Sequence, residues 1–199
     1  MVDFRKKVDK KALDVTTDPI EIYGKLDRAS DKGDLRQVQK TTLEEWRRKY
    51  RATKDLIIKL HTGQGKTLIG LLILQAQINA GKGPGLYLSP NNFLVEQTRI
   101  QAEQFGIRCV TSDGELPDDF INSKSIYVAS VKKLFNGLTK FGLGRNSLHV
   151  GSLVVDDSHA SIEEIRDAFT ITLERDSQPF NQLFDLFKGE LEQRSGPTR

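Results

Sequence analysis

Apolar and polar positions follow two alternating patterns along this chain, and each pattern predicts one type of element. Short continuous apolar runs are typical of strands in a sheet that is covered on both faces. Such runs predict strands over 56–60, 85–88, 107–111, 125–129 and 148–155. Helical runs over 66–80, 92–105, 131–135 and from 162 onwards lie between or after them. Strands that alternate with helices indicate right-handed crossovers, so the pattern predicts an α/β fold with a parallel sheet and helices on both faces.

The chain before the first predicted strand is polar. Residues 1–34 are broken by proline and glycine and predict at most short helical pieces. Thr42 and Glu45 have the spacing of a capping box, so a helix is expected to begin at Thr42.

After the last predicted strand the pattern becomes less regular. Residues 181–191 have the pattern of an amphipathic helix, and no clear strand follows Leu173, so the sheet is expected to be incomplete at the C-terminal end. An incomplete sheet would expose an apolar edge and be marginally stable. We expect an N-terminal extension over 1–34, a main domain over 35–175, and a helix and tail over 176–199 that lead into a missing remainder.

Composition restricts the class of partner and the compartment. The 199 residues are 37% hydrophobic, and 30 basic against 27 acidic side chains give a net charge of +3. This excess is far below that of a dedicated basic domain, so any polyanion must be bound locally. The longest apolar run, 68–74, is shorter than the roughly 20 residues that span a bilayer, and the N-terminus lacks an apolar stretch. With Cys109 as the one cysteine, we expect a cytoplasmic protein without membrane contact.

The residues L-H-T-G-Q-G-K-T, from Leu60 to Thr67, have the character of a phosphate-binding loop. Thr62, Gly63, Gln64 and Gly65 would bring backbone N–H groups to phosphate oxygens, and the helix that follows adds its positive end. Lys66 would contact the β- and γ-phosphates, and the Thr67 hydroxyl would bind Mg²⁺. The strict motif has glycine where Leu60 stands, so a glycine-rich turn with an unrelated lysine is the alternative. The flanking strand and helix patterns favour the phosphate loop, with ATP and Mg²⁺ as cofactors.

A second candidate motif is L-V-V-D-D-S-H-A, from Leu153 to Ala160. Asp156 at the end of an apolar strand would hold Mg²⁺, and Asp157 would orient or deprotonate the attacking water. Adjacent carboxylates repel each other unless a cation lies between them. The alternative is a helix N-cap, for which Asp and Ser are favoured residues.

Together, H-T-G-Q-G-K-T and V-V-D-D-S-H-A resemble the first and second motifs of superfamily 2 helicases, the DEAD/DEAH-box group and its restriction-enzyme and DNA-repair relatives. The resemblance implies a RecA-like P-loop NTPase domain. It also implies that His159 couples the nucleotide site to a neighbouring domain, although a histidine beside carboxylates can simply form a local hydrogen bond.

Three weaker matches occur in the same order as in that family. L-R-Q-V-Q, which contains Arg36 and Gln39, resembles the element whose glutamine reads the adenine edge. The segment from Pro90 to Gln97, which includes Asn91, and the segment around Ser130 and Lys132 resemble elements that hold nucleic-acid phosphates. They imply single- or double-stranded nucleic acid as a partner. Isolated cations such as Lys132 and Lys133 are more often solvated surface.

The chain departs from the family in two respects. Asp157 replaces a glutamate, and a catalytic water misplaced by about 1 Å can cost about 100-fold in rate. No segment matches the later motifs or the second RecA-like domain with its arginine finger, which the chain would need as a partner. We therefore expect the N-terminal ATP-binding half of a superfamily 2 helicase or translocase with low hydrolysis on its own. The alternative is a catalytically weak or inactive nucleotide-binding interaction module; Gln39 and His159 disfavour another P-loop class such as a metabolite kinase.

Overall fold

The computed structural model describes residues 15–142, 147–175 and 177–194 and contains a four-stranded sheet. Its strands are β1 (Gly85–Ser89), β2 (Cys109–Val110), β3 (Ile126–Ser130) and β4 (Ser152–Val155). Their order across the sheet is β2-β3-β1-β4, and every neighbouring pair is parallel. The predicted α/β class with a parallel sheet is confirmed. In such a sheet the carboxyl ends of all strands meet at one edge.

Helices cover both faces of the sheet, and those of the same unit are α1 (Pro19–Lys25), α2 (Gln37–Glu45), α3 (Lys66–Asn79), α4 (Asn92–Gln104), α5 (Asp118–Ile121), α6 (Val131–Leu134) and α7 (Ser158–Ala168). A further helix, α8 (Gln178–Arg194), follows later in the chain. Side chains alternate between faces along β1. Tyr87 packs with the leucines of α3, whereas Leu86 and Leu88 pack against Phe120 of α5 on the opposite face.

The helix expected to begin at Thr42 begins five residues earlier, at Gln37, so the predicted cap is wrong. Thr42 lies inside α2, where its hydroxyl donates a hydrogen bond to the Val38 carbonyl at 2.7 Å. The Arg36 N–H donates to the Gln39 side-chain oxygen at 2.8 Å, and this bond closes the first turn instead. After α2 the backbone continues as one π-helical turn over Trp46–Tyr50.

The strand predicted over 56–60 is wrong, because this segment forms no regular element. Ile57 is 92% exposed, and Leu60 alone in the segment packs against the core. A β-branched sequence forms a strand only beside a partner that pairs its backbone groups. Among the residues that the structure describes, none pairs with the outer edge of β4, and Leu153 and Val155 on that strand are 44% and 39% exposed.

The remaining elements differ from prediction mainly at their ends. β2 and β4 are shorter than the apolar runs that predicted them, and α7 begins at Ser158 rather than at Ile162. At the start of the shortened β4, Gly151 lies against the Lys82 carbonyl, and a side chain there would collide with the backbone. The Gly151 N–H donates to the Pro84 carbonyl at 2.9 Å. This close approach fixes where β4 begins to pair with β1.

The chain divides into two compact units, Met1–Ala168 and Phe169–Arg199. The second unit contains α8, in which the rings of Phe180 and Phe184 stack at 6.1 Å between centroids. Across the described residues, no helix is both long enough and apolar enough to cross a membrane. The first 14 residues of the expected N-terminal extension and residues 195–199 of the expected tail lie outside the described residues. The expected domain boundaries stay a prediction.

Candidate nucleotide site and adjoining groove

The glycine-rich turn between Leu60 and α3 adopts a conformation that only glycine allows at low cost. Gly63 and Gly65 have φ values of 80° and 78°, in the left-handed region. Gly65 caps α3, and its carbonyl accepts the Ile69 N–H at 3.2 Å. The Gln64 side chain accepts the His61 N–H at 3.0 Å and closes the turn from within. The turn therefore leads directly into the N-terminus of a 14-residue helix, where backbone N–H groups are unpaired.

Arg36 and Gln39 hold this loop from one side. The Arg36 guanidinium donates to the Gly63 carbonyl at 2.7 Å. Gln39 is buried, at 6% exposure, and a Cβ placed on Gly65 would fall on its amide nitrogen. The Gln39 side-chain oxygen already accepts the Arg36 N–H. Both residues therefore support the conformation of the loop; the role of Gln39 in reading adenine stays a prediction.

The two side chains expected to act on phosphate and metal lie on the first turn of α3. Lys66 is exposed, so its ammonium group is solvated, and Thr67 is half-buried. The following positions, from Leu68 to Leu74, are all buried against the sheet. This apolar packing fixes the helix and thereby the direction in which Thr67 points.

The acidic pair follows β4 at the carboxyl edge of the sheet. Asp156 is half-buried, and its N–H donates to the Leu88 carbonyl at 2.8 Å, which continues the pairing of β4 with β1. Asp157 is exposed and has φ 40°, a left-handed conformation that Asp tolerates better than most residues. Its carboxylate lies 3.5 Å from the Ala160 N–H, the geometry of a weak helix cap. His159 is exposed on the first turn of α7.

Tyr87 of β1 connects the phosphate-loop helix with the acidic pair. A Cβ on Gly70 of α3 would lie 3.0 Å from the Tyr87 ring and 3.1 Å from Val154, the residue opposite Tyr87 on β4. Burial raises the pKa of the Tyr87 hydroxyl well above its usual value, and the charge of Asp156 raises it further. Hydrogen bonding with Thr67 acts on the same pKa in the opposite direction. Thr67 and Asp156 therefore both influence the pKa of one buried phenol.

Sequence reasoning missed Tyr87, since it assigned the whole run over 85–88 to a buried strand. The relevant signal is the register of β1 against β4. Tyr87 pairs with Val154, so Asp156, two residues further along, lies on the same face of the sheet. That register joins residues far apart in the chain and cannot be read from local patterns.

The residues around this point fit Mg²⁺. Thr67 and Asp156 carry hard oxygen atoms of the kind that Mg²⁺ prefers, and the Ser89 hydroxyl at the end of β1 is fully buried without a hydrogen-bond partner among the described residues. By alternation Ser89 lies on the same face as Tyr87. Within 15–142, 147–175 and 177–194, no group of three His, Cys, Asp or Glu side chains could hold a metal ion. A magnesium ion that takes most of its ligands from phosphates and water suits such a sparse site.

A separate groove of about 560 Å³ lies beyond the carboxyl ends of β1, β2 and β3. Four of the five residues expected to contact nucleic acid line it: Pro90, Asn91, Ser130 and Lys132. Gln97 is exposed on α4 and does not line the groove. The Asn91 side chain accepts the Leu94 N–H at 3.1 Å and caps α4, so the N-terminus of a 13-residue helix faces this space.

The lysines of the groove are already engaged. The Lys132 ammonium lies 2.7 Å from a Glu164 oxygen of α7, and this hydrogen bond, with the carboxylate charge, raises the pKa of Lys132. Lys133 donates to the Asp113 carbonyl at 2.9 Å. The described lining contains these two lysines and three carboxylates, from Glu96, Asp113 and Glu164. In this conformation the groove therefore carries no excess of positive charge.

Comparison with models of protein families identifies the family to which the chain belongs. Residues 32–188, well over half of its length, match the model of the type III restriction enzyme, res subunit. Comparisons with curated proteins and with solved structures found no match. The matched segment includes the phosphate loop, all four strands and the acidic pair, and the resemblance to superfamily 2 helicases is confirmed. The chain therefore belongs to the family of the type III restriction enzyme res subunit and contains its helicase-type RecA-like domain.

Proposed function

We propose that this chain is the N-terminal ATP-binding half of a superfamily 2 nucleic-acid helicase or translocase. The observation that carries the proposal is geometric: the Tyr87 ring packs on α3 at Gly70, one turn after Thr67, and the β1–β4 register places Asp156 on the same face of the sheet. Membership in a helicase-type ATPase family supports the reaction class. The second RecA-like domain, in a longer chain or a partner, is the proposed source of the remaining catalytic groups.

In this proposal each residue of the site has a defined task. Backbone N–H groups of the loop and of the first turn of α3 bind the triphosphate, and Lys66 neutralises charge that develops on it. Thr67 and Asp156 would hold Mg²⁺, which when bound polarises the phosphate oxygens. Asp157 accepts a proton from the attacking water, and His159 contacts the second domain.

Binding of ATP can be measured on the 199-residue protein by its melting temperature. A ligand at about 100 times its Kd stabilises the folded state by about 2.7 kcal/mol. For a chain of this size we expect ATP with Mg²⁺ to raise the melting temperature by about 5–10 °C. ATP hydrolysis should also increase when DNA or RNA is added. Absence of any melting shift at saturating ATP·Mg²⁺ contradicts nucleotide binding, and a polynucleotide-independent hydrolysis rate contradicts the motor assignment.

The geometry of Asp157 favours one second candidate, a nucleotide-binding interaction module without chemistry. Its carboxylate faces the Ala160 N–H as a helix cap rather than an open water site. Single-turnover measurements separate the two functions. Tight ATP binding without phosphate release, with and without polynucleotide, supports the module, whereas release within one turnover supports the motor.

The groove beside the nucleotide site is the proposed contact for a nucleic-acid strand. Its lysines can bind phosphate only in competition with their present partners, and the closest competitor is the Glu164 carboxylate. We expect Glu164→Gln to strengthen binding of a fluorescent single-stranded oligonucleotide by about threefold to tenfold at low salt, because the negative charge beside Lys132 is removed.

The matched control is Glu163→Gln, which removes the same charge from the adjacent, exposed position of α7. Fluorescence anisotropy over a range of salt concentrations measures both effects. A specific increase should be lost when Lys132 is also replaced by alanine. Equal affinities for the two glutamine variants would show that Lys132 does not bind the strand.

A further inference from the structure

We propose that residues 47–54 form a second contact surface for nucleic acid, which binds the phosphate backbone outside the groove. This basic segment reads R-R-K-Y-R-A-T-K. The inference rests on the proposed function only in its choice of partner, because the contact uses no residue of the nucleotide site.

The basic segment carries more positive charge than the whole chain has in excess. Five of its eight residues are arginine or lysine and none is acidic, so its charge of +5 exceeds the net charge of +3 of the chain. The remainder of the chain, taken together, is therefore slightly acidic. A polyanion is attracted to this segment rather than to the protein surface in general.

Packing holds the backbone of the basic segment in place while its side chains stay in solvent. Trp46, immediately before the segment, is 4% exposed and belongs to the core cluster that contains the leucines of α3. The Gln77 side chain of α3 donates to the Arg51 carbonyl at 3.4 Å. All eight residues of the segment are exposed. Its first part lies in the π-helical turn over Trp46–Tyr50, and single turns of this rare kind often occur at functional sites.

Three of the five cations form no ion pair with a carboxylate in the described part of the chain. They are Arg48, Arg51 and Lys54. The other two pair with the carboxylates of Asp18 and Glu45. A helix C-terminus attracts cations only within its last turn, whereas Arg51 and Lys54 follow the end of the π-helical turn. The helix dipole therefore does not account for the charge of the whole segment.

The groove beside the nucleotide site has a different electrostatic character. Both of its lysines are engaged, and three carboxylates share the lining. Phosphate contacts supply most of the sequence-independent affinity for nucleic acid, and each contact releases counterions. The basic segment offers the unpaired cations that the groove lacks in this conformation, so its charge is complementary to a phosphate backbone.

One variant that combines Arg48→Gln, Arg51→Gln and Lys54→Gln tests the inference. Glutamine removes the charge and keeps a long polar side chain, so the melting temperature should change little. The measurement is fluorescence anisotropy of a labelled DNA duplex over a range of salt concentrations. Each lost phosphate contact lowers the slope of log affinity against log salt by about 0.9, so we expect a decrease of about 2–3 in its magnitude. Affinity at low salt should fall by at least about tenfold.

The matched control combines Lys25→Gln, Lys82→Gln and Lys124→Gln, which removes three exposed lysines from separate parts of the fold. This control loses the same charge and should change the slope by less than about 1. Equal effects of the two triple variants would show attraction to net charge alone and would overturn the inference.

Vesicles that contain phosphatidylserine test the other extended anionic surface. We expect no co-sedimentation of the protein with them. Vesicle binding that is lost in the triple variant of the basic segment, together with unchanged binding of the duplex, would assign the segment to a membrane and overturn the inference.

The melting shift with ATP·Mg²⁺ separates failure of this inference from failure of the proposed function. The triple variant of the basic segment should show the same shift as the unmodified protein. If both proteins show the shift and bind the duplex with equal affinity and slope, the inference is wrong and the proposed function stands. If neither shows a shift but only the triple variant loses duplex binding, nucleotide binding fails and the inference stands. An unmodified protein that binds no duplex at low salt contradicts the inference directly.

Discussion

Replacing Lys66 with alanine should lower polynucleotide-stimulated ATP hydrolysis by about 100- to 1,000-fold. This is the range typical of removing one group that stabilises charge in a transition state. Lys66 is exposed at the start of α3, and alanine favours the helix, so the melting temperature without nucleotide should change little. The measurement is the rate of phosphate release at saturating ATP, compared between the variant and the unmodified protein, each with the proposed second RecA-like domain present.

Lys82→Ala is the control for Lys66→Ala. Lys82 is an exposed lysine just beyond the other end of the same helix, about 20 Å from Lys66 along the helix axis. Lys82→Ala removes the same charge as Lys66→Ala and should leave the rate of ATP hydrolysis unchanged. Hydrolysis by Lys66→Ala within threefold of the unmodified rate would show that Lys66 does not act on the phosphates.

Gly65→Ala should disrupt the phosphate loop more than Gly63→Ala, although both glycines have the same backbone conformation. A side chain at φ near 80° costs about 1–2 kcal/mol at either position. At Gly63 nothing lies within 4 Å of the added Cβ, whereas at Gly65 the Cβ collides with the Gln39 amide. We expect Gly63→Ala to lower the melting temperature by about 2–8 °C. Gly65→Ala should lower it further and weaken ATP binding by at least about tenfold.

The difference between the two variants can be assigned to Gln39 by a double-mutant cycle. Gln39→Ala removes the colliding amide, so the double variant Gly65→Ala, Gln39→Ala should recover part of the melting temperature lost by Gly65→Ala. Melting of the unmodified protein, the two single variants and the double variant, followed by calorimetry or fluorescence, gives the coupling free energy between the two positions. Strict additivity would contradict the contact between Gln39 and Gly65.

Local patterns predicted the parts of the fold that depend on local physics. The helical period and the absence of proline placed α3 and α4 within one residue of their observed ends. The glycine-rich sequence predicted a turn before α3, and Gly63 and Gly65 in that turn have left-handed backbone, which other residues rarely adopt. The roles of these residues, and those of Asp157 and His159, stay predictions, as does the cytoplasmic location.

Features that depend on pairing between distant segments could not be read from the sequence. The segment over 56–60 has the composition of a strand but lacks a neighbouring strand in the described part of the chain. The register of β1 against β4 places Asp156 on the face of the sheet that carries Tyr87, and Lys132 meets Glu164 although 32 positions separate them. Both arrangements are set by tertiary packing, which overrides or supplements local preference.

The unpaired side of β4 has a practical consequence for work with this protein. No described strand pairs with the outer side of β4, so its outward N–H and C=O groups, beside Leu153 and Val155, offer a template on which an extended segment of a second molecule can assemble. The apolar residues Leu56 and Ile57 supply such a segment on every copy. We therefore expect the protein to stay monomeric in dilute solution and during brief storage. Concentrated solutions are expected to aggregate through the unpaired edge of β4.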